Sequence, residues 1–181
     1  MRWKNGGGTS REIAAAPASV DPAWRLSIAT IDCDGPFSDF TGYDRSIVPV
    51  EGNGVELTFD EVDVALVDRR FQPYAFRGER RTWCRLLDGP VRDFNVMTRR
   101  SAFSHAVAVR EAGAPIAVER GSRCFVHVLS GGIGEARAGD TLRIDRPGAF
   151  ATDDAELGTL LCVATIAAVS SPPSKPRRKS S

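Results

Sequence analysis

The chain has 181 residues, and its 24 Lys and Arg against 23 Asp and Glu give a formal net charge of +1. Four of those bases, Lys175, Arg177, Arg178 and Lys179, fall in residues 171–181 with no acid, so the body is mildly acidic and the tail basic. An apolar share of 42% excludes global disorder, no window approaches the ~18 uninterrupted apolar residues of a membrane span, and Met1 to Gly8 lacks the apolar stretch of a signal peptide.

Seventeen Gly and eleven Pro spread along the sequence cut it into short pieces, which predicts an all-β sandwich or barrel. The clearest strand is Trp24 to Ile31, where Trp24, Leu26 and Ile28 alternate with Arg25, Ser27 and Ala29 and so take opposite faces. Further strands are expected at 46–50, 54–59, 62–67, 91–97, 106–109, 123–129, 141–144 and 159–166. Turn chemistry separates them, at Asp34-Gly35-Pro36, Gly52-Asn53-Gly54, Asp88-Gly89-Pro90, Gly131-Gly132 and Pro147-Gly148. No stretch holds a helical period for three turns. Arg45-Ser46-Ile47-Val48-Pro49-Val50 matches Arg123-Cys124-Phe125-Val126-His127-Val128 at an offset of 78 residues, each followed by a glycine turn. The repeat predicts two similar β units, 1–86 and 87–168, followed by a disordered basic tail at 169–181.

Lys4-Asn5-Gly6-Gly7-Gly8-Thr9 has the composition of a phosphate loop in the wrong order, because a Walker loop carries its lysine after the glycines. The glycines either make a tight bend or let backbone approach a ligand beside Lys4 and Asn5. His105 and His127 are the only histidines and form no metal-ligand spacing, so neither a metal, a cofactor nor a histidine-dependent triad is expected. Cys33, Cys84, Cys124 and Cys162, with no C-x-x-C, read as reduced core or pocket thiols. In a strand 91–97, Asp93, Asn95 and Met97 share one face, which meets solvent in a sandwich or lines a cavity in a small barrel. Arg25 and Ser27 make a comparable polar face, and Arg45 either pairs with an acid of the chain or clamps a ligand carboxylate in the bidentate way a guanidinium allows. The tail lacks interleaved aromatics, so nucleic acid is not an expected partner.

Trp3-Lys4-Asn5-Gly6-Gly7-Gly8-Thr9 with Arg11-Glu12-Ile13, then Trp24 to Ala29, Gly35-Pro36-Phe37-Ser38 with Gly42 and Asp44-Arg45, and Gly89-Pro90 with Asp93 to Met97 resemble the HutD/Ves family in order and spacing. Gly139-Asp140-Thr141-Leu142 adds a turn typical of cupin-like sheets. The resemblance implies a bicupin, two RmlC-like jelly-roll units packed into one compact body. It also implies a role in histidine utilisation, with a metal-free protein sensing a small carboxylate ligand such as urocanate or formylglutamate. A cytoplasmic location is the default expectation from the lack of a span or signal stretch. The expected ligand-binding residues are Lys4, Asn5, Thr9, Arg25, Ser27, Arg45, Asp93, Asn95 and Met97, and none is expected to be catalytic. The alternative is a metal-independent cupin isomerase, lyase or hydrolase with Asp93 or Glu12 as base and Lys4 as acid. A homodimer is left open. Members carry a short strand ahead of the Trp-Lys-Asn-Gly motif, whereas Met1 here stands two residues before Trp3, so either the true start lies upstream or an edge strand is missing.

Overall fold

The computed structural model describes residues 7–18 and 21–169. Those residues form seventeen strands and no helix. In chain order they are β1 (Gly8–Ala16), β2 (Trp24–Ile31), β3 (Gly35–Pro36), β4 (Tyr43–Glu51), β5 (Val55–Phe59), β6 (Asp63–Val67), β7 (Tyr74–Arg77), β8 (Thr82–Leu86) and β9 (Val91–Arg99). Then follow β10 (Phe103–Glu111), β11 (Ile116–Val118), β12 (Arg123–Ser130), β13 (Gly132–Ile133), β14 (Ala136–Arg137), β15 (Thr141–Ile144), β16 (Gly148–Phe150) and β17 (Leu160–Ala168).

Two sheets form the middle of the body. The first has the order β1-β2-β9-β4-β7 and the second β10-β17-β12-β15. Trp24, Leu26, Ile28, Val48, Phe94 and Val96 of the first sheet pack on Phe125, Leu129, Cys162, Ala164 and Ile166 of the second. The Trp24 and Phe125 ring centroids are 5.6 Å apart. Outside this shared core each sheet closes its own unit. The first faces a sheet of order β3-β8-β5-β6 across Ile31, Ile47, Val55, Leu57, Phe59, Cys84 and Val91. The second faces the pairs β11-β16 and β13-β14 across Ile116, Val118, Cys124, Val126, Val128 and Leu161. The result is the bicupin: two β units joined back to back.

Position in this stack explains the sequence patterns. β9 and β4 lie inside their sheet with both faces covered, so nearly every residue is buried and no simple alternation survives. β10 is an edge strand with one face in solvent, and it alternates half-buried and exposed along most of its length. Gly52 and Gly54, at φ of +87° and +90°, carry the chain from the first sheet to its partner sheet. A Cβ there would collide with the carbonyls of Pro90 and Val67.

Strand pairing moves the expected division between units. β9 pairs with both β2 and β4 at the heart of the first sheet, so the first unit runs through Arg99 and not to residue 86. The repeat does fall on equivalent strands, since β4 lies between β9 and β7 as β12 lies between β17 and β15. Its faces are opposite, however. Arg45 and Ile47 point into their own unit, while Arg123 lies over the Trp24 ring at 5.7 Å and Phe125 joins the shared core. An offset of 78 is therefore out of register by one residue, which exchanges the faces of a strand. Strands β1, β7, β8 and β11 escape the alternation test, because they are short or carry small and charged residues. All four cysteines are free, and Cys33 is exposed and not a core or pocket thiol. Among the described residues no helix is long and apolar enough to cross a membrane. The expected tail lies outside the described residues apart from Val169, whose N–H donates to the Ala102 carbonyl.

Candidate functional site

The inner face of the first sheet, which looks toward β8 and β5, should be apolar throughout if it served packing alone. Its register shows otherwise. Arg25 on β2 stands opposite Met97 on β9, which stands opposite Arg45 on β4, which stands opposite Phe76 on β7. One rung further, Ser27 faces Asn95, and on the next Ala29 faces Asp93. Six of the nine expected residues, Arg25, Ser27, Arg45, Asp93, Asn95 and Met97, thus share one face of three adjacent strands. Five are buried, with Ser27, Arg45, Asp93, Asn95 and Met97 at most 5% exposed, and Arg25 is half-buried.

Burying polar groups without partners is costly, by about 1–3 kcal/mol for each unmatched atom. Yet Arg25 Nε, Ser27 Oγ, Arg45 Nε, Asp93 Oδ1 and Asn95 Oδ1 have no hydrogen-bond partner among the described residues. The Arg25 Nη2 contacts the Met97 sulfur at 3.5 Å. The Arg45 guanidinium lies 5.3, 5.1 and 4.8 Å from the ring centroids of Phe37, Phe40 and Phe76, and that of Arg25 lies 5.6 Å from Phe40. Aromatic faces attract these cations without occupying their N–H groups fully.

The charges reflect the enclosure. Burial pushes the Asp93 carboxyl up to about 7 even though Arg45 draws it down. Burial lowers Arg45 to about 10, with Asp93 opposing the fall and Arg25 adding to it. The Cys84 thiol, buried on β8, is pushed up to about 12 by desolvation and then by the charges of Asp93 and Asp34. The site therefore offers two guanidiniums, a carboxyl that titrates near neutrality, an amide and a hydroxyl within an aromatic and thiol wall. That set suits a small ligand with a carboxylate for the arginines and a donor for Asp93 or Asn95.

The remaining expected residues do not join it. Thr9 is exposed and pairs with Thr30, whose other neighbour is Arg92, a rung that alternates to the face opposite Asp93. Lys4 and Asn5 lie outside the described residues. Glu12 pairs with Ser27 from the edge strand β1 but is exposed. Phe40 and Phe76 carry no sequence signal for this site, whereas Cys84 is the buried thiol expected of a core or pocket position. Phe37 belonged to a noted motif without an assigned part, and Cys84 sits on an unforeseen strand where it pairs with Leu57. The two histidines lie elsewhere. His105 Nε2 is 2.9 Å from Ser46 Oγ, and its Nδ1 is 2.7 Å from Thr98 Oγ1. His127 is stacked on Phe94 with centroids 4.9 Å apart, on the other side of the first sheet. Among the described residues no three of His, Cys, Asp and Glu gather as a metal site would require.

Comparison with known proteins gives this arrangement its relatives. An uncharacterized 21.2 kDa protein in the hutC 3′ region of Pseudomonas putida is 43% identical over 100 residues, 54% of this chain and 52% of that one. Protein Ves of Escherichia fergusonii is 35% identical over 127 residues, 68% of this chain and 65% of that protein. The chain thus spans about half to two thirds of the length of these curated relatives. Among solved structures, HutD from Pseudomonas fluorescens SBW25 (formate condition) superposes with a TM-score of 0.76 at 29% identity, covering 94% of both chains. A conserved protein of unknown function from Pseudomonas aeruginosa gives 0.79 at 28% identity over the same shares. A cupin 2 conserved barrel protein from Leptotrichia buccalis, TM-score 0.60 at 12% identity, shares the fold alone. The HutD family profile matches residues 1–162, which include every strand of the first sheet and all six clustered polar residues, and the chain belongs to the HutD family.

Proposed function

We propose that this protein binds a small carboxylate ligand, of the urocanate or formylglutamate kind, at the polar cluster of its first cupin unit and regulates histidine utilisation without catalysing a reaction. The observation that carries this reading is the convergence on one sheet face of five buried polar atoms that have no hydrogen-bond partner among the described residues. Their desolvation costs stability in the free protein and is offset only when something supplies hydrogen bonds. Arg25 and Arg45 set the sign of the ligand, and Asp93 and Asn95 ask for a donor on it. The names of the relatives, HutD and a protein of the hutC region, support the pathway. Thermal unfolding in the presence of urocanate, formylglutamate, histidine and glutamate tests it. Stabilisation by at least one is expected, as RT ln(1 + [L]/Kd) requires, and unchanged melting with all four at millimolar concentration would refute it.

A second reading rests on Asp93 alone. A carboxyl that titrates near 7 beside a guanidinium is placed for general acid or base work on a small acid. Turnover of any of these compounds that disappears in Asp93→Asn, with binding retained, favours the enzyme over the sensor.

A further inference from the structure

The back of the first sheet carries a second polar recess, separate from the cluster above. A cleft of about 410 Å³ opens where the two units meet, between β1, β4 and β9 on one side and β12 with the Gly139-Asp140 turn on the other. Arg11, Arg70 and Arg92 line it, against two acids, Glu51 and Asp140. The acids are engaged. Glu51 Oε1 takes Arg92 Nη1 at 2.7 Å, and Asp140 Oδ2 accepts the Arg137 N–H at 2.9 Å.

Asp140 is hydrogen-bonded but keeps its charge, so three guanidiniums against two carboxylates leave one net positive charge, and Arg11 and Arg70 stand outside any ion pair among the described residues. Arg11 is exposed and has no ion-pair partner among the described residues. Arg70 is fixed by its Nε, which donates to the Val50 carbonyl at 2.8 Å, and by the Phe71 ring 4.5 Å from its guanidinium carbon. Its remaining N–H groups make no ion pair among the described residues. Between them on the cleft wall lies His127, 2% exposed, with Nδ1 bound to Thr141 Oγ1 at 2.8 Å. Burial holds this ring down to about 4, Arg11 and Arg92 push the same way, and Asp140 opposes them. A neutral, oriented imidazole among guanidiniums is a polar wall that a surface ion-pair network does not need.

We infer that the cleft between the units is an anion site for a small, doubly charged oxyanion, held by Arg11 and Arg70 with His127 at its wall. Two guanidiniums favour paired oxygens, which both a phosphate and a dicarboxylate present. The site is independent of the proposed carboxylate pocket: Arg92 and Asp93 are neighbours on β9 but point to opposite faces of the sheet, one to each recess.

The chain's two histidines make the test direct. Imidazole proton resonances are followed while inorganic phosphate, and separately succinate, is added at constant ionic strength. A saturable shift of the His127 signals with either probe is expected, and the probe that saturates distinguishes phosphate from dicarboxylate chemistry. In Arg11→Gln/Arg70→Gln, two exposed changes that leave the core intact, the affinity falls by about tenfold or more. Failure of both probes to saturate at millimolar concentration, or equal affinity in the double variant, overturns the inference.

Discussion

Asp93 and Arg45 project from neighbouring strands into the same enclosed space, and no ion pair joins them although both are buried. Each feels the other's charge, and in each the desolvation outweighs that attraction. Two opposite charges held apart in a buried site leave both open to a third group. For a carboxylate ligand Arg45 is the stronger anchor, since three phenylalanine rings fix it where Arg25 is half in solvent. Arg45→Met keeps an unbranched apolar stem against the rings and removes the charge, and it should weaken binding by at least about tenfold, as loss of a charge-assisted bond of ~1.5–3 kcal/mol implies. Calorimetric titration of the variant with the ligand that stabilises the wild type checks it, and unaltered affinity would show that Arg45 is only a packing element.

The same charges give a stability profile with a definite sign. Asp93 titrates at about 7 in the fold against 3.8 in an open chain, so between those values the folded state holds the extra proton and stability falls as pH rises. The histidines act the other way. Burial lowers His127 to about 4 and His105 below 6.5, so the unfolded chain takes up protons first and stability falls as pH drops below 6.5. On the acid side the two imidazoles oppose the single carboxyl, and above about pH 6.5 Asp93 is the one of these three groups that still titrates, so stability declines from there through about pH 7. Asp93→Asn should remove the alkaline decline, which above pH 6.5 is on the order of 1 kcal/mol or less because only about half a pH unit separates that point from the Asp93 titration. Melting temperatures from pH 5 to pH 8 check it; parallel curves for variant and wild type would be the contrary result.

The legible parts of the sequence were those where one strand face differs from the other. Trp24 to Ile31 and Asp93 to Met97 displayed their polar sets openly, and both sets meet on one face because β2 and β9 pair in register. What joins across space was not legible. Cys84 reaches the cluster only through a sheet that folds back over it, and Phe40 and Phe76 enter from a loop and an unforeseen strand. Thr9 shares a motif with the expected site residues yet falls on the other face, because one residue along a strand reverses direction. The repeat found the correct pair of strands but could not fix their facing, for the same reason.

His105 ties the two units together. It stands on β10 of the second sheet and bonds the hydroxyls of Ser46 and Thr98 on the first, which are 5% and 0% exposed. His105→Ala leaves both hydroxyls buried without this partner and should cost about 1–3 kcal/mol. His105→Gln, which retains a donor and an acceptor, should cost less. Denaturant unfolding of the two variants measures the difference, and equal losses would assign the effect to packing and not to the hydrogen bonds.

The thiols report whether the inner site opens. Thiolate is the reactive form, and burial raises Cys84 and Cys162 to about 12 and Cys124 in the same direction, which leaves exposed Cys33 as the accessible nucleophile. Brief treatment of the native protein with a maleimide should therefore add one label, at Cys33, with the other three appearing only on unfolding. Cys84 is the informative exception, because it lines the same space as Asp93 and a ligand must pass the same wall. Slow native labelling of Cys84 that ligand suppresses, while Cys124 and Cys162 stay unlabelled, would show opening local to the first unit. Labelling of all three buried thiols at one common rate would instead show global unfolding, and peptide mass spectrometry over a time course separates the two.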